Sequence, residues 1–566
     1  MRRERRVMKV VFVACLAMSA GLVACDPESY SEDRVALSLY GPWGFGLPPG
    51  PVPNTTSAKA VRVTVMDVQD GSRRAQDLLR IDAAFGSERL ENIPFGDDVM
   101  IHVEALNVVG AVVAYGASAP MAVPKSGGEQ SRVIYMTEPG SLGPLKALFD
   151  GRDGPIVSDS PMGQPTMGHS MLELPGNRFL VIGGATLAVP GTGLTCERVQ
   201  CPVELSNIKD VHDRLEFFDA NTGYFESTSV RLSEPRVFHT AHLLPGNRIL
   251  VVGGLTVDED TLRPSATADI ISFEDDGRPS VKPLLFPDGA RGRFKHAGAV
   301  TASGAYIAAG GARFENGALV PLDEVLVLGA NRENFAEPDG VLADPRWDLS
   351  ATAVGEVVLF AGGTNGRDVF GTTEIAAAQQ GVLESLPSMA VPRFGHRTLR
   401  LERADGRFIM VVGGFLENTN GQLVAGAFPT GSLEVLDIQN GRWVDELSTG
   451  GLLVARAHFA MLELLDGSVL VAGGLGAGDD NLEGLDSVEL LTPKGLLIDY
   501  EARLLDARMS RGRYELSAVR LPHGAVVVSG GAIFEKVPNG GGGSGFGTHQ
   551  FADYYNPGPP LALALP

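Results

Sequence analysis

A chain of 566 residues with a formal net charge of −21 is long enough for several domains, and its acidity excludes an ordinary nucleic-acid-binding protein, because phosphates would repel it. The composition, with 44% hydrophobic residues, 71 glycines and 36 prolines, favours many short strands joined by tight turns. The same composition argues against long helices and against extensive disorder.

The first 24 residues have the organisation of a secretory signal. Basic residues precede an apolar run, 10–23, which is too short to span a bilayer comfortably. The run ends in Leu-Val-Ala-Cys, which resembles a bacterial lipobox. This resemblance implies cleavage before Cys25, acylation of its thiol and lipid anchoring in the cell envelope, with 25–32 as a tether. An ordinary secretory signal is the alternative, and neither the membrane nor the leaflet follows from the sequence.

Two further cysteines, Cys196 and Cys201, are separated by four residues. In an oxidising compartment a local disulfide is the favoured interpretation. A metal-binding pair is less favoured, because no neighbouring histidine or second cysteine pair completes a tetrahedral site. The acidic runs at 258–260 and 479–480 do not form a full calcium loop, so we favour solvated turns over calcium sites and predict no cofactor.

The segment 33–137 is predicted to be a separate all-β domain. Apolar and polar residues alternate at 61–65 and 99–105, which is typical of half-buried antiparallel strands. Further strands are expected at 35–40, 79–85, 111–115 and 132–136. The pattern favours an immunoglobulin-like or prealbumin-like β-sandwich that acts as a spacer. A linker is predicted at 138–155.

The remaining chain, 156–566, contains one motif seven times. A strand and a short turn precede a second strand that ends in Gly-Gly, and a longer loop and a hairpin follow. Small residues allow sharp turns and close approach of neighbouring strands, so we expect these glycines to be structural rather than phosphate-binding. The doublets are Gly183 and Gly184, Gly253 and Gly254, Gly310 and Gly311, Gly362 and Gly363, Gly413 and Gly414, Gly473 and Gly474, and Gly530 and Gly531.

The repeat resembles the kelch family of β-propellers. Kelch blades carry a Gly-Gly doublet at the end of the second strand, then an aromatic residue and, after six intervening residues, a Trp. The pair Leu436 and Trp443 keeps that spacing, although most of the aromatic positions are aliphatic in this chain. The resemblance implies an all-β fold in which a β-sandwich precedes a seven-bladed kelch-like propeller.

Arginine recurs at the start of the first strand of the repeat, and histidine follows in several copies. Because the first strands of a propeller line its central channel, these side chains would form a polar or metal-binding ring there. The alternative, which the regularity of the repeat favours, is structural hydrogen bonding between blades. The residues are Arg236, His239, Arg293, His296, Arg346, Arg393, His396, Arg456, His458 and Arg513.

Loop lengths indicate which face binds a partner. The turns after the first strands are short, whereas long connections follow the doublets at 185–210, 415–431, 475–486 and 532–548 on the opposite face. Long loops on a rigid scaffold mark a binding face. We therefore predict a non-enzymatic envelope scaffold that binds a protein or a glycan, with a purely structural protein as one alternative.

An enzyme similar to galactose oxidase, whose catalytic domain is also a seven-bladed kelch-like propeller, is the alternative from another class. That family needs copper and a cysteine cross-linked to a tyrosine. The two remaining cysteines of the repeat region are expected to pair with each other, so the resemblance does not extend to this chemistry and no catalytic residue is predicted.

Overall fold

The protein is all-β: its described residues form strands and no helix, and the sheets are antiparallel except where stated below. The computed structural model describes residues 34–559 with gaps at 42–43, 46–57, 69–72, 81–86, 92–95, 119, 124–128, 152–153, 189–194, 197–204, 206, 316–317, 331, 337–339, 379–382, 403–405, 417–428, 445–450, 478–481, 495–497 and 537–543. The predicted signal, Cys25 and the tether therefore lie outside the described residues.

Two sheets form the N-terminal domain. Their strands are β1 (Arg34–Gly41), β2 (Gly44–Phe45), β3 (Ala60–Asp67), β4 (Arg73–Arg80), β5 (Ser87–Glu91), β6 (Gly96–Leu106), β7 (Val112–Ala117), β8 (Met121–Val123) and β9 (Glu129–Tyr135). One sheet has the order β4-β3-β6-β7, with β8 also on β6. In the other, β1 pairs with β2 and β5 and, in parallel, with β9.

The core of this domain follows from the alternating sequence. Val61, Val63 and Val65 on β3 pack with Ile101 on β6, and Ile134 from β9 of the second sheet joins the same cluster. The apolar faces of β3 and β6 are therefore in one core with β9 of the second sheet. Five of the six predicted strands correspond to observed ones. The predicted strand at 79–85 differs, because the observed strand β4 begins earlier, at 73, ends at 80 and pairs with β3 along its whole length.

Seven repeat sheets, numbered here sheet 1 to sheet 7, follow the N-terminal domain. Their first strands are β13 (Ser170–Leu174), β20 (Thr240–Leu244), β26 (Ala297–Val300), β31 (Ser350–Val354), β35 (Arg397–Arg400), β39 (Ala460–Glu463) and β45 (Ser517–Arg520). Their second strands, which end at the glycine doublets, are β14 (Arg178–Ile182), β21 (Arg248–Val252), β27 (Tyr306–Ala309), β32 (Val357–Ala361), β36 (Phe408–Val412), β40 (Val469–Ala472) and β46 (Val526–Ser529).

The outer strands complete the repeat sheets. Third strands are β18 (Arg214–Asp219), β24 (Thr267–Phe273), β30 (Val325–Leu328), β33 (Thr373–Ala377), β37 (Leu433–Asp437), β43 (Ser487–Lys494) and β49 (Ala552–Tyr555). Fourth strands are β19 (Tyr224–Arg231), β25 (Pro279–Leu285), β34 (Leu383–Leu386), β38 (Arg442–Trp443) and β44 (Asp499–Arg508). Sheet 3 has three strands among the described residues.

The repeat sheets pack face to face in chain order. Each first strand contacts the first strand of the next sheet, and β45 contacts β13, so the contacts form a closed series. Apolar residues fill the spaces between sheets: Leu180 of sheet 1 packs with Val251 of sheet 2, and Phe179 of sheet 1 packs with Val527 of sheet 7. No single sheet closes on itself among the described residues.

The segment that the sequence predicts as a linker contains strands. They are β10 (Leu142–Pro144), β11 (Lys146–Gly151) and β12 (Gly154–Asp159). Strand β10 pairs with β49 and becomes the outer strand of sheet 7. Strand β46 occupies the other edge of β49, so β49 lies between β10 and β46.

The N-terminal domain contacts the face of the repeat sheets that carries the short turns, called the turn face here. Asn177, in the short turn of sheet 1, donates from its side-chain nitrogen to the Pro120 carbonyl oxygen at 2.9 Å. The buried Asn556, after β49, donates to the carbonyl oxygens of Tyr115 and Thr137 at 3.0 and 3.1 Å. The domain is therefore held at sheets 7 and 1 by direct hydrogen bonds.

Candidate functional site

The connections after the doublets form short sheets. They contain β15 (Ala185–Leu187), β16 (Thr195–Cys196), β17 (Ile208–Val211), β22 (Leu255–Asp258), β23 (Thr261–Pro264), β28 (Ala312–Glu315), β29 (Ala318–Pro321), β41 (Leu475–Ala477), β42 (Leu482–Gly484), β47 (Ala532–Lys536) and β48 (Ser544–Thr548). Three connections predicted to be long loops thus contain paired strands. We call this set of strands the hairpin collar, and the face that carries it the hairpin face.

Neighbouring elements of the hairpin collar contact one another. β42 contacts β47, β48 contacts β15, and β23 contacts both β16 and β28, with β16 and β23 paired in parallel. In sheet 4 the corresponding connection is a short turn closed by a bridge between Thr364 and Val369. In sheet 5, residues 417–428 lie outside the described residues. Cys201 does as well, so the predicted disulfide with Cys196 is outside what the structure describes.

An apolar layer joins the hairpin collar to the repeat sheets. Val237, Phe294 and Trp347, which each follow the arginine at the start of a first strand, are buried with Leu255 and Ala312 of the collar. Each collar segment is also bridged to the residue that follows the arginine position, just before its own first strand, as Leu255 is to Val237. The collar is therefore part of the packed structure and presents its outer surface on a rigid base.

The six predicted arginines are fully buried, and each makes an ion pair within its own sheet. Arg456 is representative: it donates to the carboxylate of Glu489 on the third strand at 2.6 Å and to the Gly473 carbonyl oxygen at 2.8 Å. In sheet 1, Thr166 takes the arginine position and the acid Glu216 accepts from a backbone N–H. The ion pairs join Arg236 to Asp269, Arg293 to Glu324, Arg346 to Glu374, Arg393 to Glu434, Arg456 to Glu489 and Arg513 to Asp553.

The ion pairs and the bonds to carbonyl oxygens occupy most of the hydrogen-bonding groups of these guanidinium groups, although the Nε atoms of Arg346 and Arg513 have no partner among the described residues. Burial lowers the pKa of Arg293 to about 10, while the charge of Glu324 opposes this effect. The acidic partners lie one or two residues into the third strands, except Glu324, which immediately precedes β30, and the sequence prediction did not include them. An acid at the same place in all seven third-strand segments was the available signal.

The glycine doublets link each repeat sheet to the next. The N–H of Gly254 donates to the Arg293 carbonyl oxygen at 2.8 Å, and the equivalent bond occurs at all seven doublets, ending with Gly531 and Thr166. Gly254 has a φ of 99°, and an added Cβ would lie 2.8 Å from the Val237 carbonyl oxygen. The second glycine therefore combines a backbone hydrogen bond to the next sheet with a close approach to the segment that precedes its own first strand.

Four histidines occupy one equivalent position, where they face the preceding sheet. The Nε2 atoms of His169, His296 and His396 lie 2.9, 3.1 and 2.9 Å from hydroxyl oxygens of that sheet. Burial lowers the pKa of His239, the fourth, to about 3, and nearby Arg236 adds to the effect. His458 is different, because Phe459 takes the equivalent position in sheet 6.

Seven residues, one from each repeat sheet, form a ring of backbone hydrogen bonds, called the axial ring here. Each N–H donates to the carbonyl oxygen of the preceding member at 2.8 to 3.3 Å, and the Gly168 N–H closes the ring on Glu515. All seven have φ between 49° and 61°. The members are Gly168, Phe238, Lys295, Asp348, Gly395, His458 and Glu515.

The axial ring carries paired charges that the sequence prediction missed, apart from His458. The Lys295 Nζ lies 2.9 Å from an Asp348 oxygen, and the His458 Nδ1 lies 2.9 Å from a Glu515 oxygen. Burial raises the pKa of Glu515, but the charges of His458, Lys295 and Arg397 outweigh it and bring the pKa to about 2. These four side chains are only 7 to 16% exposed, so both charged pairs are largely withdrawn from solvent.

Metal-binding groups and membrane-spanning helices do not add to this geometry within the described residues. Among the described residues, no three His, Cys, Asp or Glu side chains are grouped so that they could hold a metal ion. No helix in the described part of the chain is long and apolar enough to cross a membrane.

No protein-family model and no curated protein matches the chain. A solved structure described as "Structure of YjhT" is similar over 61% of this chain and 99% of its own, with a TM-score of 0.41 and 12% identity.

Proposed function

We propose that this protein is a non-enzymatic binding scaffold of the bacterial cell envelope and that its hairpin face binds a protein or a glycan. In this proposal the seven repeat sheets are the blades of a kelch-like β-propeller, and the N-terminal domain is a β-sandwich that follows a lipidated Cys25. The closed series of first-strand contacts and the axial ring support the propeller. The shared core of the two N-terminal sheets supports the sandwich.

One observation carries the functional proposal: the hairpin collar is seated on a buried apolar layer, on the face opposite the N-terminal domain. A partner that binds a collar held in this way loses little loop entropy, because the collar is already ordered against the scaffold. The turn face is less suited, because the N-terminal domain contacts it at sheets 7 and 1. A lipid anchor that precedes this domain would direct the hairpin face away from the membrane.

The short turn of sheet 4 gives the hairpin face a recess. A cavity of about 550 Å³ lies beside this turn, where Arg367, Asp368, Val369, Val391 and Leu416 contribute to its wall. The wall combines two opposite charges with aliphatic side chains, which is a suitable lining for one anchoring side chain or one sugar ring. We therefore place the centre of the proposed binding surface beside sheet 4, with the hairpin collar as its raised rim.

The test compares partner binding by the mature protein with binding by a variant whose collar segment 475–486 is replaced by the short connection of sheet 4, 364–372. The matched control changes the short turn 245–247 on the turn face. A partner recovered from detergent-solubilised envelope, or a glycan from an array, is then titrated against all three proteins. We expect the control to bind as the unchanged protein does and the collar variant to lose at least about tenfold in affinity. Equal affinity of the three proteins for every ligand found would refute the proposal.

A further inference from the structure

A second cavity lies at the opposite end of the first strands from the axial ring, on the turn face. Its volume is about 640 Å³, and its wall includes the ends of the first strands of sheets 1, 5, 6 and 7. The axial ring occupies the other end of these same strands, where its charged side chains are almost buried. The cavity is therefore a blind recess that a ligand enters from the turn face.

The ends of the first strands on the turn face carry a charged arc and an apolar arc. The residues at the equivalent register of sheets 1, 7, 6 and 5 alternate in charge, and those of sheets 2, 3 and 4 are aliphatic. In that order they are Glu173, Arg520, Glu463 and Arg400 in the charged arc, and Leu243, Val300 and Ala353 in the apolar arc. The four charged residues line the cavity itself, whereas the three aliphatic residues do not contribute to its wall.

The charged arc retains free hydrogen-bonding capacity. Arg520 donates one Nη1 bond to the Glu463 carbonyl oxygen at 2.6 Å, and Arg400 donates from Nε to the Gly406 carbonyl oxygen at 3.0 Å. Neither guanidinium has a carboxylate partner in the described part of the chain. The carboxylates of Glu173 and Glu402, both exposed, likewise have no ion-pair partner among the described residues. Two cations and two anions of the recess thus have no charged partner within the described ranges.

Aliphatic side chains line the recess beside these charges. Leu399, Leu462 and Leu465 contribute to its wall, and Leu465 is 52% exposed although it is large and apolar. Covering such a side chain with an apolar ligand group removes that surface from water and is favourable. The site therefore offers an apolar contact next to opposite charges.

We propose that this recess binds a small zwitterion with apolar side chains, the chemical class of a short apolar peptide. The ligand's carboxylate pairs with Arg400 and Arg520, its ammonium group with Glu173 and Glu402, and its side chains pack on the leucines. Bidentate arginine–carboxylate pairing favours this orientation. The volume lies in the range of small-molecule sites, and the N-terminal domain on the same face leaves less room for a macromolecule.

The test is calorimetric titration of the full mature chain with leucyl-leucine. Two blocked forms, N-acetyl-leucyl-leucine and leucyl-leucine amide, each remove one terminal charge. We expect the unblocked dipeptide to bind and each blocked form to bind at least about tenfold more weakly. Arg400→Gln is expected to reduce the affinity for the dipeptide more than the affinity for its amide, because only the dipeptide has the carboxylate that Arg400 would bind.

Two further variants keep the result interpretable. Glu173→Gln changes an exposed side chain, so the fold is retained, and the variant is expected to lose affinity for the dipeptide by a similar factor. Glu501→Gln, on an outer strand, is the matched control and should bind as the unchanged protein does. The proposal would be overturned if 10 mM dipeptide produced neither heat nor a change in the unfolding midpoint, or if the blocked forms bound as tightly as the dipeptide. The collar variant should bind the dipeptide as the unchanged protein does. Failure of this test would therefore leave the hairpin-face proposal untouched.

Discussion

Replacement of Glu489 by glutamine tests the buried ion pairs of the repeat sheets. Glu489 and Arg456 are both fully buried, and their side chains meet at 2.6 Å. The Glu489 carboxylate also accepts from the N–H groups of Leu453 and Val454 at 2.6 and 3.0 Å. Glu489→Gln keeps the side-chain shape but leaves the Arg456 charge without a counter-ion and places an NH₂ group opposite a donor.

The expected loss of unfolding free energy is large. Removing one partner of a buried ion pair costs about 3–5 kcal/mol, because the remaining charge stays desolvated. The control is Glu501→Gln, since Glu501 and Lys494 are 64 and 51% exposed and lie 3.4 Å apart. An exposed pair of this kind contributes about 0–1 kcal/mol. The two substitutions make the same chemical change and differ in burial.

Urea unfolding followed by tryptophan fluorescence measures both variants. A third variant, Arg456→Met with Glu489→Leu, removes both charges and is expected to be more stable than Glu489→Gln, because no uncompensated charge remains. If Glu489→Gln and Glu501→Gln lost the same free energy within about 1 kcal/mol, burial of the pair would not govern its energetics, and our account of the arginines would be wrong.

Three further predictions concern stability. Gly254→Ala should lower the free energy of unfolding by about 3 kcal/mol or more, because an alanine there has both a φ of 99° and a carbonyl oxygen 2.8 Å from its Cβ. Gly246→Ala is the control: its φ is 78° but its Cβ would lie in open space, so it should cost about 1 kcal/mol in the same unfolding assay. Burial lowers the pKa of His239 and His523 to about 3 and about 4, so the unfolded chain binds more protons than the folded chain below pH 6.5. The free energy of unfolding should therefore fall by about 2 kcal/mol per such histidine between pH 6.5 and 5. A flat pH profile would contradict this. Asn556→Ala should cost about 1–3 kcal/mol, measured as an unfolding midpoint, because it leaves buried carbonyl oxygens of the domain contact without a donor.

The repeat could be predicted from the sequence because its signals are local. A doublet such as Gly253 and Gly254 closes a strand of apolar residues, and a turn such as the one at 245–247 precedes that strand, so a single segment carries the evidence. The acidic partner of each arginine was missed because it lies on the third strand, after a connection of variable length. The number of residues between an arginine and its acidic partner varies from repeat to repeat, so it does not reveal an ion pair that forms only when the strands are assembled into a sheet.

The axial ring could not be predicted because its members have no residue type in common. Phe238, Lys295, Asp348 and Glu515 share a backbone conformation with φ near 50°, and only the arrangement of sheets brings them together. Strand β10 was missed for a related reason: it is three residues long and pairs with a strand about 400 residues later in the chain. Pairings of high sequence separation leave no local pattern.

The most direct test of this account is hydrogen exchange at the seven amides of the axial ring, measured by residue-resolved mass spectrometry. The amide of Gly168 matters most, because it joins the first repeat sheet to Glu515 of the last. We predict that all seven amides exchange slowly and together, through opening of the whole ring. Fast exchange of the Gly168 amide, with slow exchange at Lys295 and Asp348, would show that the seven sheets do not close around one axis.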